Sequence, residues 1–276
     1  MQSTLSDKYR RPSPTGIWPN PEGKAQDRLS HFAKGVAYSL RPKRISGALP
    51  MCFHLIRECI KTTPAHILPD VTRATTKPDG FCGIAHNLSP EILRQAYRQG
   101  MFPWNHIGPV KWWAPRQRTL LFFDDYKIDK NARRRLRNNH FNYTFDNAFT
   151  QVIEACAQPR PGTVGLTWIN NRIIDAYTEA HAAGDAHSIE VWDNDGNLVG
   201  GAYGYVSGRV FFTESQFYRA RDASKAGFAV LNRHLQHWGF VLNDGKEHTP
   251  HLSSLGFAPH ARETLNDIIA RHGTQQ

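Results

Sequence analysis

The 276-residue sequence has no apolar run approaching the ~18–20 residues that a membrane-spanning helix needs, which excludes an integral helical membrane protein. It has only four cysteines, Cys52, Cys59, Cys82 and Cys156. They form no CxxC pair and no Cys/His zinc spacing, so neither a zinc module nor a disulfide framework is expected. The N-terminal stretch MQSTLSDKYRRPSPTGIWPNPEG lacks an apolar h-region and carries acids early, unlike a secretory or transit leader. Free thiols and a cytoplasmic location are the simplest expectation, and a monomer is expected. The 14 histidines show no metal-ligand spacing, and no motif calls for a metal or cofactor. What is present is a chain 40% apolar and 21% charged, balanced enough to build a packed core.

Positive charge is the second feature. The formal net charge is +10, and residues 1–76 supply most of it, with 12 Lys/Arg against 5 Asp/Glu. Eight prolines punctuate the same stretch, which predicts an extended or disordered segment over residues 1–45 and one short amphipathic helix, Met51–Ile60, with Phe53, Ile56 and Ile60 at helical spacing. Excess positive charge favours polyanions, nucleic acid first, without specifying a fold. Lys130, Arg133, Arg134 and Arg137 fall on one face of a helix predicted from Asp129 to Arg137, with Arg135 off that face. So basic a face can follow a phosphodiester backbone or merely be solvated.

From Asp79 onward the punctuation becomes regular. Ser89-Pro90-Glu91 reads as a helix start, with Ile92, Leu93, Ala96 and Tyr97 on one face and Gly100 as the left-handed stop. Further helices are predicted over Asn147–Cys156 and Trp168–Ala183. The period then changes to two. His187–Trp192, Leu198–Val206 and Arg209–Glu214 read as strands joined by turns at Asp195-Gly196 and Ser207-Gly208. Asp222 is placed to cap a helix carrying Phe228, Leu231, Leu235 and Trp238. A strand Phe240–Asp244 follows, then a short helix from Thr249-Pro250, closed by Gly256. The order β-β-β-α-β predicts a mixed α/β fold, with helices packed on a mixed sheet.

Several segments carry more specific information. They are Leu88-Ser-Pro-Glu-Ile-Leu, Gly100-Met-Phe-Pro-Trp104, Trp112-Trp-Ala-Pro115, Thr167-Trp-Ile169, Ala186-His-Ser-Ile-Glu-Val-Trp192, Leu198-Val-Gly-Gly-Ala-Tyr-Gly204, Glu214-Ser215, Ala223-Ser-Lys225 and Ser254-Leu-Gly256. In this order, over residues 79–272, the chain resembles the leucyl/phenylalanyl-tRNA–protein transferases. The resemblance implies transfer of an amino acid from aminoacyl-tRNA to the N-terminal amine of an acceptor protein or peptide, which marks that protein for degradation. It also implies an acyltransferase fold of the N-acetyltransferase type, preceded by a smaller domain. The expected organisation is a basic extension over 1–76, a small domain over 77–146 and a catalytic domain over 147–276. The resemblance does not reach the extension, for which an accessory RNA-binding arm is one reading.

Aminoacyl transfer needs a positioned amine, a route for its proton and donors for the developing oxyanion. Glu214 and Asp244 stand at the predicted ends of strands and match the family's acceptor-binding or catalytic carboxylates. Trp104 and Trp168 match its aromatic residues around the terminal adenosine, whereas Trp112, Trp113 and Trp192 read as core. The resemblance assigns Lys130, Arg133, Arg134 and Arg137 to tRNA. Two residues beyond Asp244, where the family has Gln, stands Lys246, a third candidate for catalysis. In the amino-acid pocket, Phe211 and Leu231 remain apolar, while Ala202, Gln216 and Asn243 replace apolar residues. Polar groups in such a wall must find partners or cost stability, so altered donor or acceptor specificity is expected. Two alternatives remain. One is a catalytically inactive tRNA- or peptide-binding paralogue; the other, an acetyl-CoA-dependent N-acetyltransferase, is disfavoured because Ser215–Ser224 lacks a pyrophosphate-binding glycine pair.

Overall fold

A computed structural model of the chain describes residues 45–60, 64, 66–104, 109–124, 126–128, 130–138, 141–159 and 167–273. The expectation of an extended segment over 1–45 lies almost wholly outside these residues. Helix α1 spans Ile45–Ile60, six residues longer at its start than expected, and takes Pro50 into its interior. Its apolar stripe does not enter a core: Phe53, Ile56 and Ile60 are all exposed.

Strand β1 (Phe81–Ile84) leads into α2 (Pro90–Tyr97), then β2 (Phe102–Trp104) and β3 (Lys111–Trp113). The three strands form one antiparallel sheet in the order β1-β3-β2. Helix α2 starts at Ser89-Pro90 as expected, although the Ser89 side chain makes no capping bond. Its stop is Gly100, at φ +70°, a conformation that glycine adopts without strain. Ile92, Leu93, Ala96 and Tyr97 are buried, as their spacing predicted.

A seven-stranded sheet forms the body of the protein, in the order β10-β4-β9-β8-β7-β6-β5. Its members are β4 (Gln117–Phe122), β5 (Asn142–Phe145), β6 (Ala186–Trp192), β7 (Leu198–Ser207), β8 (Val210–Tyr218), β9 (Leu242–Asp244) and β10 (Ala258–Ala261). All pairings are antiparallel except β8 with β9, which run parallel for only three residue pairs, Val210–Leu242, Phe211–Asn243 and Phe212–Asp244. The sheet draws strands from both sides of residue 146. Helices α3 (Lys130–Asn138), α4 (Phe149–Ala157), α5 (Asn171–Ala182), α6 (Ala223–His237), α7 (Pro250–Ser253) and α8 (Arg262–His272) complete the mixed α/β architecture.

Two helix starts depart from expectation for identifiable reasons. Helix α5 begins at Asn171 and not at Trp168, because the Asn170 side chain accepts from Ile173 N at 3.1 Å and fixes the cap there. Trp168 is thereby left in the loop. Asp222 does precede α6, but at φ +65°, and its side chain makes no capping bond.

One polar cluster fastens the far edge of the sheet. Asp146 accepts from Ser188 N at 2.8 Å and bonds His187 Nδ1 at 2.7 Å, while His187 Nε2 lies 3.1 Å from the Gly184 carbonyl. Two acceptors on one imidazole favour its cation. The Asp146 bond raises the His187 pKa above its usual value, against the opposing effect of burial. Burial also disfavours ionised Asp146, but the bonds from His187 and Ser188 outweigh it and hold that carboxyl below its ordinary range. The sign for folding follows. The His187 contribution is complete below the unfolded histidine pKa, about 6.5, and is lost as pH rises through the higher folded value. The Asp146 contribution is lost as pH falls through its lowered value. We therefore expect His187→Gln to flatten the fall in Tm between about pH 6 and pH 8; an unaltered profile in thermal denaturation would remove His187 as its cause.

Candidate active site

The main core lies between the sheet and helices α2, α4, α5 and α8; a second cluster lies around α6, including Ala202, Phe211, Phe228, Leu231 and Phe257. Strand alternation divides the residues of β8 and β9 between these two environments. Phe212 and Leu242 belong to the main core, and Phe211 to the second cluster.

The carboxylates gather on the main-core side. After Phe212–Asp244 the two parallel strands cease to pair, and the chain beyond β9 turns at Lys246, whose φ is +66°. Backbone bonds hold that turn to β4: Gly245 N donates to Thr119 O at 2.7 Å and Thr119 N to Lys246 O at 2.9 Å. The Lys246 side chain crosses the opening between the strands and ion-pairs with Glu214 Oε2. Its ammonium lies 4.7 Å from the Phe102 ring centroid and 6.0 Å from that of Trp168. Burial lowers the Lys246 pKa, while the Glu214 charge opposes the shift.

Each carboxylate has its own support. Tyr97 donates its hydroxyl to Glu214 Oε1 and also meets the Tyr177 hydroxyl. Tyr97 further stacks on Tyr205 with centroids 4.0 Å apart. Burial, with the Glu214 charge adding to it, pushes both phenols well above their usual pKa, so they remain protonated donors. Asp244 is paired with Arg118 of β4; both are fully buried, and Asp244 Oδ1 also accepts from Lys246 N at 2.7 Å. The Arg118 guanidinium carbon sits 5.0 Å above the Phe102 ring centroid. The result is one row, Arg118, Asp244, Lys246, Glu214 and Tyr97, two of whose members carry positive charge and two negative.

Of the residues singled out from the sequence, the structure brings together Glu214, Asp244, Lys246 and Trp168. Trp104 is partly buried against the same main core and packs edge-on to Trp113 at 5.9 Å. Ala202, Phe211 and Leu231 are core members on the α6 side of the sheet. The polar substitutions there have partners: Asn243 accepts from Thr213 Oγ1 and donates to Asn232 Oδ1, each at 2.8 Å, and Gln216 accepts from Ser224 Oγ at 2.7 Å. Lys130, Arg133, Arg134 and Arg137 are all exposed on α3. Of the tryptophans expected in the core, Trp112 is buried, and Trp113 and Trp192 are partly buried.

Sequence reasoning missed Arg118, and it gave Tyr97, Tyr177 and Phe102 no role in the site. The available signal for Arg118 was weak: it directly precedes the run Thr119-Leu-Leu-Phe-Phe123, with Arg116 two residues before it. The signal for the aromatic shelf was the Tyr203-x-Tyr205 alternation, which places two rings on one face of β7.

A mixed sheet carrying a buried row of paired carboxylates and cations beside the Trp168 ring is a candidate enzyme site. Within that class, the chain belongs to the leucyl/phenylalanyl-tRNA protein transferase family. The family model of that description matches residues 120–270, and the model of its N-terminal domain matches residues 86–116. The leucyl/phenylalanyl-tRNA–protein transferase of Pseudomonas fluorescens (strain Pf0-1) is 46% identical over 205 residues, covering 74% of this chain and 90% of its own. That of Cellvibrio japonicus is 44% identical over 209 residues, covering 75% and 88%. Among solved structures, that of FemX overlays 56% of this chain and 64% of its own at 10% identity, with a TM-score of 0.42. No helix among the described residues is long and apolar enough to cross a membrane.

Proposed function

We propose that this protein transfers an amino acid from aminoacyl-tRNA to the N-terminal α-amine of an acceptor protein or peptide, acting as a monomer in the cytoplasm, where charged tRNA is found. The observation that carries the reading is the row at the opening between β8 and β9. There Glu214, Lys246 and Asp244 are held by Tyr97 and Arg118 beside the Trp168 ring. An attacking amine must shed a proton and a leaving ribose oxygen must gain one, and this row supplies paired acceptors and donors for both.

Trp104 and Trp168 are proposed to hold the terminal adenosine, since an indole face takes an unstacked base regardless of sequence. Helix α3 is proposed to receive the tRNA backbone through Lys130, Arg133, Arg134 and Arg137, and the basic residues 1–76 to act as an accessory arm ahead of the transferase domains. Ala202, Phe211 and Leu231, with Gln216 and Asn243, are proposed to set the donor preference. Asn243 spends both ends of its amide on Thr213 and Asn232, and Gln216 accepts from Ser224. That supports a pocket that stays apolar in what it offers a substrate, and hence a Leu- or Phe-like donor. The completeness of the row favours an active enzyme over a binding-only paralogue.

The test is single-turnover transfer of radiolabelled amino acid, from a panel of charged tRNAs, to peptides starting with Arg or Lys. Transfer of label into peptide is expected, and its absence from every donor would refute the reading. Trp168→Ala should weaken aminoacyl-tRNA binding by ~1–3 kcal/mol, about fivefold to about 150-fold, the worth of one base–aromatic stack. Unchanged binding of the Trp168 variant would move the adenosine elsewhere.

A further inference from the structure

The members of the row differ in what they can reach. Arg118 and Asp244 are fully buried, and their charges are spent on each other, on the Gly100 carbonyl and on the Lys246 backbone N–H. The Glu214 side chain has no exposed surface either; its Oε1 takes the Tyr97 hydroxyl and its Oε2 makes no hydrogen bond, facing the Lys246 ammonium. Only the Lys246 side chain is open to solvent, at 9% of its surface, and its head lies beside the Phe102 and Trp168 rings. A substrate lying along those rings therefore meets Lys246 first.

We infer that Lys246 is the catalytic proton carrier of the transfer reaction, that Glu214 stores its proton, and that Asp244 and Arg118 are positioning residues that fix the Lys246 turn. This division of roles rests on the transferase reading above. Before reaction, the ammonium passes one proton to Glu214 Oε2, leaving a neutral amine beside a neutral carboxylic acid. A buried pair accommodates that exchange, because neither product bears charge. The neutral acceptor amine forms a C–N bond to the ester carbonyl carbon, and the π pair moves onto the carbonyl oxygen. The nitrogen, now cationic, gives a proton to the Lys246 lone pair. As the tetrahedral intermediate collapses, the C–O bond breaks, its electrons pass to the ribose oxygen, and Lys246 protonates that oxygen. Glu214 then returns the stored proton. The products are an amide and a tRNA with a free hydroxyl, and the protein ends in its starting state. Lys246 holds the positive φ that places its head there because Asp244 Oδ1 accepts its backbone N–H and Thr119 pairs with both sides of the turn.

The experiment is single-turnover transfer by Lys246→Ala in the full chain, with and without added small primary amines of graded basicity. The expected result is a loss of roughly 10²-fold or more in the chemical step, unchanged aminoacyl-tRNA binding, and a rate restored by amines in proportion to their basicity. Glu214→Gln should move the acid limb of the pH–rate profile to higher pH, because Lys246 must then lose its proton to solvent before reaction instead of passing it to the neighbouring carboxylate. Lys246→Ala transferring at the wild-type rate, or refusing rescue by every amine while binding tRNA normally, would overturn the assignment. If Lys246→Ala does not fold, Lys246→Met keeps the aliphatic stem, and a wild-type rate there would overturn it equally. Absence of transfer by the wild-type protein would instead sink the transferase reading, so the two failures are distinct.

Discussion

Asp244→Ala is expected to cost about 3–5 kcal/mol of folding stability, the usual penalty for stranding one partner of a buried ion pair. Arg118 has no exposed surface and Asp244 has none, so water cannot replace the missing carboxylate. The guanidinium would retain the Gly100 carbonyl and the Phe102 face, neither of which neutralises it. Removing both charges should be far milder: Arg118→Met with Asp244→Leu exchanges the pair for apolar groups of similar reach and should recover most of the loss. Urea denaturation of the two single variants and the double variant measures the cycle. A loss below about 1 kcal/mol for Asp244→Ala would mean that the guanidinium finds hydration. The double variant also separates folding from function, since it should fold yet transfer poorly, having lost the acceptor that holds the Lys246 turn.

The second large effect concerns tRNA. Reversing Arg133, Arg134 and Arg137 to Glu should weaken tRNA binding on the order of a hundredfold at low salt. It should also flatten the plot of log affinity against log salt by roughly three units, about 0.9 for each phosphate that is no longer neutralised. All three side chains are exposed on α3, while the buried Ala132 anchors the helix, so the substitutions leave the core intact. Filter binding over a salt series reads both quantities. An unchanged slope would show that α3 is a solvated surface and that tRNA docks elsewhere.

Some of this was legible in the sequence, and the reasons are local. Ser89-Pro90-Glu91 and the Asp-Gly and Ser-Gly turns carry their own geometry, so α2 and the β6–β7–β8 meander were readable from spacing alone. Strands β4, β5 and β10 were not. Strand β4 is buried along most of its length and shows an apolar run instead of alternation, which gives no clear period. Pro103 argues against a strand at β2, yet the segment is one, at an edge of its sheet where an absent N–H is tolerated. In the site, Glu214, Asp244 and Lys246 stood out because of the family resemblance, and spacing alone would have left them as surface acids and a surface lysine. Arg118 could not be found without tertiary pairing, since its partner lies 126 residues away. Ala202, Phe211 and Leu231 fall in one core cluster, and what remained hidden was that strand alternation turns them toward α6.

The row at the β8–β9 opening also bears on when the enzyme comes into being. Tyr97 and Glu214 are 117 residues apart and Arg118 and Asp244 are 126 apart, so the supports of both carboxylates depend on pairings that close long loops. Such pairings form late, because the entropy of closure must be met before they return any stabilisation. During synthesis the tyrosines and Arg118 emerge first and wait for the segment around residue 246. A chain still short of β9 holds the aromatic shelf without Asp244 or Lys246, so the row is completed only when the last strands join the sheet.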